Sequence, residues 1–300
     1  MSTKVLISGG SGLIGSHLTN LLTNSGYEVR HLSRSVSGSE SVKTYKWDIR
    51  KMEVDPAALD VDYIIHLAGA GVADRKWTES RKKEILDSRV NSTRLLFENI
   101  KENEIDLKGF ISASAIGIYG LDTGRELVDE DSPQATDFLA QVVKEWEQEV
   151  DRFSEIDIPV SKIRIGVVLA NEGGALPKMK KPIEFGVGAP LGSGEQYMSW
   201  IHFQDLCKIF QWVLSEGKWE VFNAVAPNPV TNKELTKAIA KVLKKPLFLP
   251  NVSSFVLKGM LGEMAGIVLG GNNVSSNKLV DSGFNFEFQD LESALRNLLK

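Results

Sequence analysis

Ile7-Ser8-Gly9-Gly10-Ser11-Gly12-Leu13-Ile14-Gly15 is the stretch whose reading decides the fold. Upstream of it, 4–8 is a short apolar run with strand character. Downstream, 13–25 sets Leu13, Leu18, Leu21 and Leu22 at helical spacing, and Gly26 supplies the stop. Glycines 9, 12 and 15 therefore fall in a tight turn between strand and helix, the context that gives this spacing a meaning. Gly9 permits the turn, Gly12 lets the backbone approach a pyrophosphate, and Gly15 lets helix and strand pack closely. Ser11, Leu13 and Ile14 belong to the same loop, where the first helical N–H groups and the positive dipole end face the phosphates. A glycine-rich turn with no ligand is the competing reading, and the signals that follow weigh against it.

Outward from this turn, strand-like and helix-like segments alternate. Strands are expected at 28–33, 43–47, 62–67, 109–113 and 160–169, and helices at 82–102 and 137–153. The run 62–67 is apolar enough to be buried on both faces. Such alternation predicts an α/β, doubly wound parallel sheet, a Rossmann domain. After 170 the rhythm stops in a segment, 170–194, rich in glycine, proline and lysine. Helices are expected at 204–215, 232–243, 253–269 and 290–299, and a strand at 220–223 returning to the sheet. The reading is a nucleotide-binding domain of 1–170 that also receives 195–225. A second, smaller, α-rich C-terminal domain is made of 171–194 and 226–300.

The end of the second strand selects the nucleotide. An Asp or Glu there would hydrogen-bond the ribose 2′-hydroxyl of NAD and repel a 2′-phosphate; the sequence instead reads Ser33-Arg34. A guanidinium and a hydroxyl suit the extra phosphate, so NADP(H) is the expected cofactor. Asp48-Ile49, past the third strand, suit an adenine edge. Leu67-Ala68-Gly69 bring small residues and bare backbone beside the cofactor.

Composition excludes other classes. With 42% hydrophobic and 25% charged residues over 300 positions, the chain is an ordinary globular one. A formal net charge of -4 gives no basic excess for a nucleic-acid partner. Cys207 is the only cysteine, so no intramolecular disulfide or all-cysteine metal site forms, and the histidines at 17, 31, 66 and 202 lack metal-ligand spacing. The region 252–271 carries Lys258 and Glu263 and several glycines, which predicts an amphipathic helix rather than a membrane span. With no long apolar leader, the cytoplasm is the expected compartment. There is no G-x-S-x-G elbow and no P-loop lysine.

The glycine spacing, His66-Leu67-Ala68-Gly69, Asn91-Ser92-Thr93, Ser114 with Tyr119-Gly120, and Trp200-Ile201-His202-Phe203-Gln204-Asp205-Leu206 together resemble an extended short-chain dehydrogenase/reductase. Arg75-Lys76-Trp77-Thr78, Ile85-Leu86-Asp87-Ser88-Arg89, Gly192-Ser193-Gly194-Glu195-Gln196 and the tail from Leu261 to Phe284 narrow the resemblance. They point to the epimerase family, nucleoside-diphosphate-sugar epimerase-like, with its small C-terminal domain. The resemblance implies an NADP-dependent oxidoreductase acting on a sugar nucleotide or other carbonyl compound. Asn91 resembles the family asparagine behind the active site, and Glu84, Ser88 and Asn91 share one helical face. Glu84 and Arg89 would then look toward the cofactor; the competing reading is a charged outer face with Arg81, Lys82 and Lys83.

The catalytic pair of that superfamily, a tyrosine followed four residues later by lysine, is missing. Phe138 stands at the tyrosine position and Val142 at the lysine position. Ser114, Tyr119, and Lys144 or Asp137 are the candidates to replace its acid–base work. Tyr119 also reads as a packed structural residue and Lys144 as a solvated one. Two further readings stay open: a catalytically silent NADP-binding sensor, and a substrate that supplies its own proton path.

Overall fold

The computed structural model describes residues 2–35 and 42–300. Eight strands form one sheet: β1 (Lys4–Ser8), β2 (Glu28–Ser33), β3 (Lys43–Asp48), β4 (Glu53–Val54), β5 (Tyr63–His66), β6 (Gly109–Ala115), β7 (Val160–Ile165) and β8 (Val221–Ala224). Their spatial order is β8-β7-β6-β5-β1-β2-β3-β4. All pairs are parallel except β3 with β4, the short edge strand that sequence reading missed. The chain winds outward from β1 in both directions, so the strand order reverses between β1 and β5. That is where a crevice opens in a doubly wound sheet.

Helices α1 (Leu13–Asn24), α2 (Glu79–Glu102), α3 (Phe138–Asp151) and α5 (Phe203–Glu216) cover the sheet, with α4 (Leu176–Glu184) between α3 and α5 in sequence. One continuous core, including Val5, Ile7, Leu18, Ile64, Leu96, Phe110, Phe153 and Phe210, fills both interfaces. A second core gathers Leu169, Leu176, Ile183 and Trp200 with Leu235 and Ile239 of α6 (Asn232–Val242) and Leu295 of the last helix.

Beyond that edge strand, three of the segments assigned from sequence are built differently, and glycines or prolines mark each of them. The run 160–169 is two strands, because the chain turns at Gly166. A Cβ there would lie 2.3 Å from the Ser199 carbonyl oxygen. Val167–Leu169 therefore leaves the sheet and pairs with Trp200–His202. The segment 170–194 is not irregular throughout: it contains α4, whose prolines sit in its first turn and near its end. The expected helix 253–269 is broken into α7 (Ser254–Leu261), a 3-10 turn at Gly262–Ala265 and a single turn at Gly266–Leu269. Gly262, at φ 62 and ψ -139, takes a conformation that no helix can continue through. Among the described residues, no helix is long and apolar enough to cross a membrane.

Candidate nucleotide-binding cleft

The turn after β1 is built as its glycines require. Gly9 has φ +74 and its carbonyl accepts from the Gly12 N–H at 3.0 Å. A Cβ on Gly15 would sit 2.2 Å from the Gly9 oxygen, and one on Gly9 would press on Leu67 and Ala68 at 3.1 Å. The loops after β1 and β5 thus touch across the switch point. Gly10, which sequence reading passed over, is equally constrained: its Cβ would fall 2.4 Å from the His31 ring. Gly12 caps α1 with no side-chain hydrogen bond, and no acid occupies the first turn. The first N–H groups of α1 are left for an anion. Leu13 and Ile14 are half-buried and line neither cavity of the cleft.

Two adjoining cavities line up along the ends of β1, β2, β3 and β5. One, of about 430 Å³, is bordered by Gly9, Ser11, Gly12, Ser33, Arg34, Leu67, Ala68, Gly69 and Glu84. The other, of about 540 Å³, continues past Arg34 to Asp48, Ile49, Arg50 and the α2 residues Lys83, Glu84 and Asn91. Trp47 and Ser88 border both. The α2 face that sequence left undecided therefore fronts the cleft. Asp48 holds its own turn, one oxygen accepting from the Arg50 and Lys51 N–H groups at 3.0 and 3.2 Å.

Arginines fix the loop after β5 from behind. Arg81 donates to the Gly71 carbonyl at 2.5 Å and to Glu84 at 2.6 Å. That contact, then the fields of Arg81, Arg75 and Arg34, hold the Glu84 carboxyl below its usual range. Arg89 donates to the carbonyls of Ala70 and Ile85 at 3.0 and 2.9 Å and lies over the Trp146 ring at 5.3 Å. A Cβ on Gly69 would come within 3.1 Å of its guanidinium carbon. Arg89 meets no carboxylate among the described residues; burial, with the nearby Arg81 charge, lowers its pKa to about 10.

Below the loop runs a buried chain that sequence reading did not find. Ser8 Oγ and Ser92 Oγ flank His66 at Nδ1 (2.6 Å) and Nε2 (3.0 Å). Ser92 has the Ser88 carbonyl to donate to, at 2.7 Å, which assigns the ring proton to Nε2 and the Ser8 hydroxyl proton to Nδ1. Burial, seconded by Arg89, pushes the His66 pKa down to about 3. His66 is a neutral strut between β1, β5 and α2.

The residues that sequence offered for acid–base work lie elsewhere. Ser114 and Tyr119, both at least 95% buried, border neither cavity. Ser114 donates to Glu147 Oε1 at 2.5 Å, and Arg164 grips the same carboxylate with Nε at 2.9 Å and Nη2 at 3.0 Å. Tyr119 donates to Asn223 at 2.8 Å and accepts from Arg164 Nη1 at 3.0 Å. Burial pushes its pKa up to about 12. Lys144 is exposed, turned outward by the helical period that buries Val142 and Val143. It is brought to neither Ser114 nor Tyr119. Asp137 caps α3, accepting from Leu139, Ala140 and Leu121 N–H groups.

Sequence comparison meets this geometry directly. Residues 5–142 match the NAD dependent epimerase/dehydratase family, and 252–298 match a domain of unknown function, DUF1731. Epimerase family protein YfhF of Bacillus subtilis (strain 168) is 36% identical over 299 residues, covering 99% of this chain and 98% of that one. The chain belongs to the epimerase family. A chloroplastic epimerase family protein of Arabidopsis thaliana, the SDR39U1 homolog, is 35% identical over 305 residues, covering 99% of this chain and 86% of its own. The crystal structure of human epimerase family protein SDR39U1 (isoform 2) with NADPH superposes with a TM-score of 0.89 at 31% identity, covering 99% of both chains. The UDP-glucose 4-epimerase of Thermus thermophilus, solved with NAD, shares the fold at 17% identity and a TM-score of 0.76 over 99% of this chain and 97% of its own.

In this epimerase-family chain Phe138, where the sequence resemblance leads us to expect a tyrosine, is packed. Phe138 opens α3, with its ring edge-on to Trp77 at 5.0 Å. The Lys82 ammonium lies 5.5 Å from its centroid and pairs with Glu263 of the C-terminal region at 2.6 Å. Val142, one turn on, is buried apolar filling.

Proposed function

We propose that the cleft binds NADPH in preference to NADH and that the protein is an NADP-dependent oxidoreductase or epimerase-like enzyme with an atypical site. The observation that carries the nucleotide is Arg89. A half-buried guanidinium is commonly paired with a carboxylate or phosphate as well as with carbonyls. Arg89, on α2, has carbonyls and an indole instead and lies beneath Gly69 of the loop that crosses to Gly9, behind the lining of the two cavities. A phosphate supplied by a ligand would compensate it. Gly9, Ser11, Gly12, Leu13, Ile14 and Gly15 would hold the pyrophosphate, and Leu67, Ala68 and Gly69 the opposite side. Asp48, Ile49 and Glu84 would border the adenosine end, with Ser33 and Arg34 at the 2′-phosphate. The human relative solved with NADPH supports the same choice. When bound, the cofactor would supply or accept hydride.

The substrate class we favour is a small carbonyl compound or sugar nucleotide, met by the region 171–194 and 226–300 over the cofactor-binding region of 1–170 and 195–225. A second reading is specifically favoured by Phe138, Val142 and the bound-up Ser114 and Tyr119: a silent NADPH-binding sensor.

Titration with NADPH and NADH tests the cofactor. Arg34→Ala should weaken NADPH alone, and Arg89→Met should weaken both nucleotides. Folded protein that binds neither would end this proposal. Carbonyl compounds and sugar nucleotides added to the NADPH-loaded protein then separate the readings. Loss of reduced-nicotinamide absorbance, or conversion of the sugar, marks an enzyme. A shift in nucleotide affinity without turnover marks a sensor.

A further inference from the structure

Arg34 is not the only guanidinium at its end of the cleft. Arg34 and Arg50 border the same cavity of about 540 Å³. Their approach follows from the sheet: β2 and β3 run parallel with Ser33 beside Lys46, so the chain leaves both strands on the same side. Neighbouring strands lie about 4.8 Å apart, so residues just past their ends share one rim. Arg34 is one residue past β2 and Arg50 two past β3. The turn that Asp48 closes onto the Arg50 N–H fixes where the second guanidinium starts.

The charges around this cavity are unevenly satisfied. Asp87 is engaged by Lys83 at 2.6 Å and Glu84 by Arg81 at 2.6 Å. Neither Arg34 nor Arg50 has a carboxylate at ion-pair distance among the described residues. Two like charges bordering one cavity repel each other, and an anion between them relieves both. A 2′-phosphate carries about -1.5 to -2 charges near neutrality and three acceptor oxygens, enough for two guanidiniums at once.

We propose that Arg50 is a second ligand of the cofactor 2′-phosphate, so that NADPH selectivity is set by two strand ends rather than one. The inference rests on the NADPH reading above. It goes beyond that reading in assigning a discriminating role to a residue outside the glycine turn and the Ser33-Arg34 pair.

The test is binding, measured on the full chain by calorimetry with NADPH, NADH, 2′,5′-ADP and 5′-ADP. Wild type, Arg34→Ala, Arg50→Ala, Arg50→Lys and the double alanine variant are compared. Arg50→Ala should weaken NADPH and 2′,5′-ADP roughly 10- to 100-fold, the range of one charge-assisted contact, and leave NADH and 5′-ADP unchanged. Arg50→Lys should recover part of the loss, and the double variant should no longer distinguish NADPH from NADH. Arg50 is exposed, so unchanged thermal unfolding of the unliganded variant is expected and separates misfolding from lost contact. An NADPH to NADH ratio within twofold of wild type in Arg50→Ala, with the ratio lowered in Arg34→Ala, overturns the role of Arg50 and leaves the cofactor reading standing. A wild type that prefers neither nucleotide overturns both.

Discussion

Glu147→Ala is the perturbation whose size the structure fixes best. The Glu147 carboxylate is 4% exposed and Arg164 5%. It accepts two parallel guanidinium contacts at 2.9 and 3.0 Å and the Ser114 hydroxyl at 2.5 Å, with Lys162 at 3.8 Å. Burial works against the Arg164 charge, yet its contact with Glu147 outweighs this and raises its pKa above the ordinary value. Truncation would leave the cation with Tyr119 and the Glu130 carbonyl as partners, and Ser114 without its acceptor. Breaking a buried pair from one side costs about 3–5 kcal/mol, and the stranded hydroxyl adds about 1 kcal/mol before relaxation. Against a total stability of roughly 5–15 kcal/mol, we expect a loss of about 4 kcal/mol. Thermal unfolding should drop on the order of 10 °C. Equilibrium urea unfolding measures it, with Glu147→Gln as the milder control that keeps an acceptor for Ser114. A loss under about 1 kcal/mol at unchanged m-value would refute the view that this network is a structural joint between β6, β7 and α3.

Three further outcomes follow from the same structure. Tyr119→Phe should cost about 1–2 kcal/mol through its lost bonds to Arg164 and Asn223, while NADPH affinity and any turnover stay at wild-type level. A turnover collapse at normal stability would return Tyr119 to the chemistry. Gly15→Ala should abolish nucleotide binding and lower stability, because its Cβ meets the Gly9 carbonyl at 2.2 Å; retained binding in titration would contradict the turn geometry. Acid should destabilise the fold through His66 and His202, whose folded pKa values near 3 and 4 lie below the unfolded value near 6.5. Between those values the unfolded chain holds the proton and the folded one does not. Each histidine therefore removes about 1.4 kcal/mol per pH unit as pH falls. His66→Asn should flatten the slope of stability between about pH 6 and pH 4, and an unchanged slope would refute the buried neutral ring.

The glycine turn and the strand–helix rhythm were legible because they are local: each depends on backbone freedom and on apolar spacing within a few residues. Ser33, Arg34, Asp48 and the loop 67–69 could be placed on the cleft for the same reason, since strand ends fix them. The burial and the partners of the acid–base candidates were not legible. Ser114 sits near the end of a strand of alternating small residues, 109–115, where sequence does not reveal which face is which. The partners of Tyr119 are Arg164 and Asn223, 45 and 104 residues away. Glu147 stands among Glu145 and Glu149 in what reads as a solvated acidic stretch, and only the arrival of β7 beneath it identifies a buried ion. The breaks at Gly166 and Gly262 differ in the same way. The first is forced by a distant carbonyl, whereas the second is a glycine conformation that sequence permits but does not compel.

Arg164 on β7 and Arg89 on α2 separate scaffold from site. Arg164 carries its own carboxylate, so removing either partner should cost stability. Arg89 carries none among the described residues and is held by two carbonyls and the Trp146 ring. Arg89→Met keeps an apolar stem against Trp146 and deletes a desolvated charge together with two bonds to carbonyls. Those terms oppose each other, and the unliganded variant should unfold within about 1 kcal/mol of wild type. The difference should appear only with nucleotide present. Wild type at a hundredfold excess of NADPH over its Kd gains about 2.7 kcal/mol by mass action, and the variant at the same concentration should gain little. Thermal unfolding with and without NADPH reads both numbers in one experiment. A variant that is several kcal/mol less stable alone, yet still gains the full increment from NADPH, would make Arg89 a strut for the loop after β5 and remove the main support for a phosphate at that position.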